Sequence, residues 1–368
     1  MTGDAQPPDP AASLQPEWEP PIPGRRRILN TWDDYIRLAQ RIVGRFHDRF
    51  DLRYFEYEHV ARLQPSTPRR FRRAYRVRGA YTDWGDPRSP IVLCVGGVAN
   101  SAMRFNYLAS DLTTHFRVIC MDWVGRGMSA WLHDEGDYSL ATYVEQVRQL
   151  VTHLDAGPVT LLGSSLGGSV AIELAARHPR LVTRLVLNDI GPYIPRGRRQ
   201  RRADTLARYY VFKDPGDLLR RIGASQKNDG PVTDDIRFNV TFHQTRWSEE
   251  DAGRVYRHDV RAMQAYRHDA QSRLDQWHHW ARVRVPVLLI HGTLSDSLLP
   301  STIARMTRHP SGLAIMHVPD TGHTPVLSDR NQTWFIHNWV KGSAPQTGQW
   351  TVLHAPLREE RPPGTPGD

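Results

Sequence analysis

Five short, mainly apolar runs constrain this chain more than any other feature: Ile91–Val95, Phe116–Met121, Val159–Leu162, Leu181–Leu187 and Val287–Ile290. Runs that are apolar at successive positions, rather than alternate ones, suit strands buried on both faces, as parallel strands are. Helical segments lie between them. Tyr138–Leu154 carries an apolar stripe at helical spacing, and Leu166–Arg177 is rich in small residues and stopped by Pro179. Strands alternating with helices predict an α/β fold: a mostly parallel central sheet with helices on both faces.

The flanks and one internal stretch break that rhythm. Residues 1–24 are rich in Pro, Asp, Gln and Glu without apolar periodicity, and read as a disordered lead. Residues 25–70 read as a basic amphipathic helical extension, because Ile28, Trp32, Tyr35, Ala39, Ile42, Val43, Phe46 and Phe50 fall at helical spacing. Asn30 or Thr31 is the expected cap, with Asp33 and Asp34 in the first turn. Phe71–Val77 and Gly79–Trp84 then read as a hairpin closed by Gly85-Asp86-Pro87. The core is expected over 71–190 and 286–342, and residues 343–368 as a disordered tail. Residues 191–285 hold many Arg, His, Tyr and Trp but few strand candidates. That is too long for a structureless loop in a compact domain, so a mainly helical cap insertion is expected there.

Composition narrows the class. Two cysteines in 368 residues exclude a disulfide scaffold, and Cys94 and Cys120 sit inside apolar runs, as buried thiols do. No apolar stretch approaches the ~20 residues that cross a bilayer. The first residues lack a basic segment leading into an apolar one, so a cytoplasmic location is expected. The net charge is +9, and residues 25–90 contribute 16 Arg against 8 acidic residues. The expectation is a solvated basic face, with nucleic acid not a partner. The extension is expected to dock on the body or to make a homo-oligomer.

The chemistry starts at Gly163-Ser164-Ser165-Leu166-Gly167, directly after one apolar run and directly before a helix. A sharp strand-to-helix turn needs small neighbours on either side, and it lifts the Ser165 hydroxyl clear of the sheet. A hydroxyl needs a base to become a nucleophile, and the base needs an orienting acid. Asp296 follows the run Val287–Ile290, and His323 lies in Gly322-His323-Thr324-Pro325 after the strand candidate at 315–318. Ser165, Asp296 and His323 therefore stand in the chain order Ser, Asp, His. Trp277-His278-His279-Trp280 lacks ligand spacing and reads as packing, and Gly125-Arg126-Gly127 lacks the third glycine of a phosphate cradle.

With these motifs in order at strand ends, residues 71–341 resemble the α/β-hydrolase superfamily. The resemblance also rests on Val95-Gly96-Gly97-Val98, on Asp122-Trp123-Val124-Gly125-Arg126-Gly127-Met128-Ser129, and on Asn188-Asp189-Ile190-Gly191-Pro192 at the entrance to the insertion. It implies Ser165 as nucleophile, His323 as general base and then acid, and Asp296 as the orienting acid, with Asp189 as the alternative. It implies an oxyanion hole from the N–H groups of Val98 and Leu166. Glycine at 96 stands where the commonest pattern has histidine. Neither metal nor cofactor is expected. A serine, rather than a carboxylate, at the elbow points to acyl chemistry, and first to hydrolysis of a small or medium carboxylic ester. The alternatives are a lyase or acyltransferase on the same residues, or a catalytically silent basic binding module. Arg196, Arg198, Arg199, Arg201 and Arg202, followed by Tyr209, Tyr210 and Phe212, suggest an anionic or acyl-bearing substrate, or else a solvated helix face.

Overall fold

The computed structural model describes residues 29–61, 74–226 and 229–356. The expected lead at 1–24, the start of the hairpin at Phe71 and the end of the tail from 357 lie outside them.

Helix α1 (Trp32–Gly44) opens with a capping box in which Thr31 and Asp34 satisfy each other's backbone N–H. It is followed by a single 3₁₀ turn and then, against expectation, by strand β1 (Phe50–Val60), which lies in the stretch read as helical extension. β1 pairs antiparallel along its whole length with β2 (Ala74–Trp84), which is one strand rather than a hairpin. The reason is Gly79. It is no turn but sits in mid-strand opposite Phe55, and a Cβ there would lie 2.3 Å from the Phe55 ring. Glycine in a strand marks close approach here, not chain reversal.

The remaining core elements follow the expected alternation: β3 (Ile91–Val95), α2 (Asn106–Leu112), β4 (Arg117–Met121), α3 (Leu140–Leu154), β5 (Val159–Ser164), α4 (Leu166–Arg177) and β6 (Val182–Asn188). The cap then intervenes. It comprises β7 (Tyr193–Ile194), α5 (Arg196–Leu206), β8 (Val211–Phe212), α6 (Pro215–Ser225), α7 (Asp234–Gln244), β9 (Thr245–Ser248), β10 (Gly253–Tyr256), α8 (Val260–Asp269), β11 (Leu274–Asp275) and α9 (Trp277–Trp280). The core resumes with β12 (Val287–Gly292), α10 (Pro300–Met306), β13 (Ala314–Val318), α11 (Arg330–Lys341) and β14 (Gly348–Thr351). β14 lies in the segment read as a disordered tail. It pairs parallel with β13, and its Trp350 packs on Phe335 with ring centroids 5.5 Å apart.

The main sheet runs β1-β2-β4-β3-β5-β6-β12-β13-β14, antiparallel through β1, β2 and β4 and parallel from there on. β3, β4 and β5 are buried throughout, which accounts for their mainly apolar sequences. Cys94 and Cys120 are paired neighbours on β3 and β4, both buried and both free thiols.

The apolar stripe of α1 is covered within the same chain. Tyr35, Ala39 and Ile42 pack on Phe212, Leu218, Ile222 and Phe238 of the cap, and the Trp32 indole N–H donates to the Lys213 carbonyl at 3.1 Å. Full burial of side chains such as Tyr35 and Ile42 is worth about 1.5–3 kcal/mol each. The extension therefore clasps the cap. Among the described residues no helix is long and apolar enough to cross a membrane.

Candidate active site

Parallel strands deliver their C-terminal ends to one edge of the sheet, where open α/β folds gather chemistry. β5 ends in the elbow. Ser165 has φ 51° and ψ −113°, a conformation that L-residues avoid and that the packing must hold in place. The neighbouring glycines make the turn feasible: a Cβ at Gly163 would meet the Gly167 carbonyl at 2.4 Å, and one at Gly167 would meet the Val95 carbonyl at 2.2 Å. Oγ of Ser165 lies 2.9 Å from Nε2 of His323, which arrives in the loop after β13.

The acid differs from the sequence expectation. Nδ1 of His323 lies 2.8 Å from Oδ2 of Asp189, at the end of β6, and not beside Asp296. Asp189 is fully buried. Besides the imidazole, its carboxylate accepts the Gly292 N–H at 3.0 Å and the Ser295 hydroxyl at 2.5 Å. A buried carboxylate needs such donors, since without them its desolvation would outweigh any gain. Asp296, by contrast, has a side chain 58% exposed and accepts from Arg198 Nε at 2.6 Å. The cause is the turn after β12. It directs Ser295 inward to Asp189, and the next residue, Asp296, outward to the cap. Because a carboxylate only accepts, Nδ1 must carry the proton, which leaves Nε2 to accept from the Ser165 hydroxyl.

The histidine loop is held from both sides by Asn188 and Arg104, to which the sequence assigned no role. Asn188 Nδ2 donates to the Pro325 carbonyl at 2.9 Å and to Ser164 Oγ at 3.0 Å. The buried Arg104 donates to the Thr324 carbonyl at 3.0 Å and to its hydroxyl at 3.2 Å. For Asn188 the available signal was a polar residue closing an apolar strand, which must find a partner when buried.

The loop carrying Val98 is fixed through its carbonyls. The Gly96 carbonyl accepts from Trp123 Nε1 at 2.9 Å and from the Gly167 N–H at 3.1 Å, and the Val98 carbonyl accepts from Arg126 Nε at 2.9 Å. Asn100 Oδ1 accepts the Gly97 N–H at 3.1 Å. Glycine at 96 therefore leaves the loop well tethered. The N–H groups of Val98 and Leu166 have no acceptor among the described residues, so both remain free to bind a developing oxyanion.

Ser165 and His323 open into a cleft of about 780 Å³, part of it in open solvent. Its far wall comes from the cap and is strongly polar, with Arg198, Arg199, Arg202, Gln226, Asp229 and Tyr266 among the lining residues. Of the clustered arginines, the structure thus sends 198, 199 and 202 to the cleft. Tyr209 lies exposed on the surface, and Phe212 belongs to the cap's own core.

Residues 89–329 match the family profile described as alpha/beta hydrolase fold. The chain is 30% identical over 275 residues to a 3-hydroxybutyrate-oligomer hydrolase of Cupriavidus necator, covering 72% of this chain and 94% of that one. It is 34% identical over 110 residues to a serine hydrolase-like protein of Mus musculus, covering 30% of this chain and 35% of that one. Among solved structures, an alpha/beta hydrolase from Novosphingobium aromaticivorans superposes with a TM-score of 0.65 at 22% identity, covering 80% of this chain and 98% of that one. A profile spanning well over half the chain and a relative matched along nearly its whole length agree with the sheet order and the elbow: this chain belongs to the alpha/beta hydrolase fold family.

Proposed function

We propose that this protein is a serine esterase that cleaves hydroxy-acid ester oligomers through an acyl-enzyme on Ser165. The observation that carries the reading is the unbroken relay from Ser165 Oγ to His323 Nε2 at 2.9 Å and from His323 Nδ1 to Asp189 at 2.8 Å. In this mechanism Nε2 takes the Ser165 proton as Oγ adds to the ester carbonyl, and the Val98 and Leu166 N–H groups stabilise the oxyanion. The imidazolium returns the proton to the departing alkoxide. Water, deprotonated by the same nitrogen, then releases the acid and regenerates Ser165. Asp189 keeps the imidazole in the required tautomer and stabilises its positive form without itself taking the proton.

The substrate class is supported by the Cupriavidus relative, whose name specifies 3-hydroxybutyrate oligomers. A polar, arginine-lined cleft suits an ester-rich chain better than a hydrocarbon one. The test is hydrolysis of nitrophenyl esters of graded acyl length beside short linear 3-hydroxybutyrate oligomers. Wild type is expected to cleave both, and Ser165→Ala neither. Turnover surviving in Ser165→Ala would refute the reading.

A further inference from the structure

The cap wall of the cleft holds a cation, Arg202, with which no described residue pairs directly. Arg198 and Arg202 stand four residues apart on α5, so they share the face that lines the cleft. Their partners differ. Arg198 is paired with Asp296, and Arg199, on the flank, with Asp269. Arg104 donates through Nη2 to Thr324. Arg202 makes no hydrogen bond or ion pair with any described residue. Its charged surroundings are Arg198 and Arg104, which repel it, and Asp229, which attracts it. Asp229 is drawn on by Arg104, Arg237 and Arg202 together, so its single charge is shared among three guanidiniums, and it makes no ion pair with Arg202.

A guanidinium half-buried in a cleft wall without a partner is partly desolvated at a cost, and an incoming carboxylate offsets that cost with charge-assisted hydrogen bonds. We propose that Arg202, seconded by Arg198 one turn earlier, is a carboxylate subsite, so that the enzyme selects esters carrying a second, ionised carboxylate over neutral ones. This rests on the esterase reading above and adds the charge of the substrate. In a linear hydroxy-acid dimer the free carboxylate belongs to the departing half. Hydrolysis there consumes one water and yields two hydroxy-acid molecules.

The test compares a linear 3-hydroxy-acid dimer with its methyl ester at pH 7.5, in wild type, Arg202→Gln and Arg202→Lys. Fluorophosphonate labelling of Ser165 in the same samples reports an intact site. Wild type is expected to favour the free acid at least tenfold in kcat/KM. Arg202→Gln should lose about ten- to hundredfold on the acid, mainly through KM, and stay within about twofold on the methyl ester. Arg202→Lys should recover part of the preference. Equal wild-type rates on the two dimers would overturn the subsite, as would an equal loss on both in Arg202→Gln with labelling intact. Cleavage of nitrophenyl esters but of neither dimer would overturn the subsite and leave a serine esterase. Failure of Ser165 to label and of every ester to turn over would remove the esterase reading itself.

Discussion

Asp189 and Asp296 follow adjacent parallel strands, β6 and β12, and their fates are opposite. Asp189 is sealed beneath the histidine loop and held by donors from Gly292, Ser295 and His323. Asp296 is turned toward the cap, where it pairs with Arg198 on α5 in partial contact with solvent. A buried, multiply bonded carboxylate is positioned; an exposed ion pair contributes little and is screened by salt. The contrast extends to the two regions these acids face. The body builds its chemistry from backbone turns and buried hydrogen bonds, and the cap builds its surface from charges.

The largest expected effect separates the two acids. Asp189→Asn should lower kcat on a nitrophenyl ester about 10⁴-fold, because it favours the wrong imidazole tautomer. Asp296→Asn should cost less than about tenfold, since it loses the ion pair to Arg198 and weakens a long contact with Ser297, neither of which touches His323. Next in size, Asn188→Ala frees the Pro325 carbonyl and Ser164. A misplaced histidine loop should reduce kcat by about 10²-fold with little change in KM.

The cap and the body each hold buried groups that respond to acid. Burial, reinforced by nearby arginines, holds His243 and His258 of the cap down to about 3. A histidine whose folded value lies below its unfolded ~6.5 favours folding above that pH and loses this contribution as pH falls toward 3, at about 1.4 kcal/mol per unit. Asp122 in the body is pushed up to about 6 by burial, so it opposes the trend: its protonated form favours folding, a contribution lost as pH rises through 6. These three groups together contribute a loss of about 1.4 kcal/mol per unit as pH falls from 6 to 4, read from urea midpoints. In the double variant His243→Gln with His258→Gln, stability should fall less steeply with acid than in wild type. Smallest of all, Ser295→Ala removes one donor from Asp189 while Gly292 and His323 remain, and kcat should fall about three- to tenfold.

How much was legible follows from what each feature demands of its residues. The elbow declared itself because its strained turn tolerates only small neighbours, and the histidine because it sits in a tight loop at a strand end. The acid did not, because both aspartates follow apolar strands and spacing alone cannot reveal which way a loop turns its side chains. Ser295 faces inward, so its neighbour Asp296 faces outward. β1 hid behind its charges: Phe55, Tyr57 and His59 alternate inward among Glu56, Glu58 and other exposed residues, a period of two inside a stretch that also fits a helical one. β14 was obscured by a polar sequence in which Trp350 alone signals contact with the core.

In the proposed mechanism Asp189 activates Ser165 through His323. The most direct measurement of this is the rate at which a fluorophosphonate labels the protein, with the modified residue located by peptide mass spectrometry. A single adduct on Ser165 is expected in wild type and in Asp296→Asn, with labelling slowed by orders of magnitude in His323→Ala and Asp189→Asn. Labelling elsewhere, or at full rate in Asp189→Asn but not in Asp296→Asn, would contradict it.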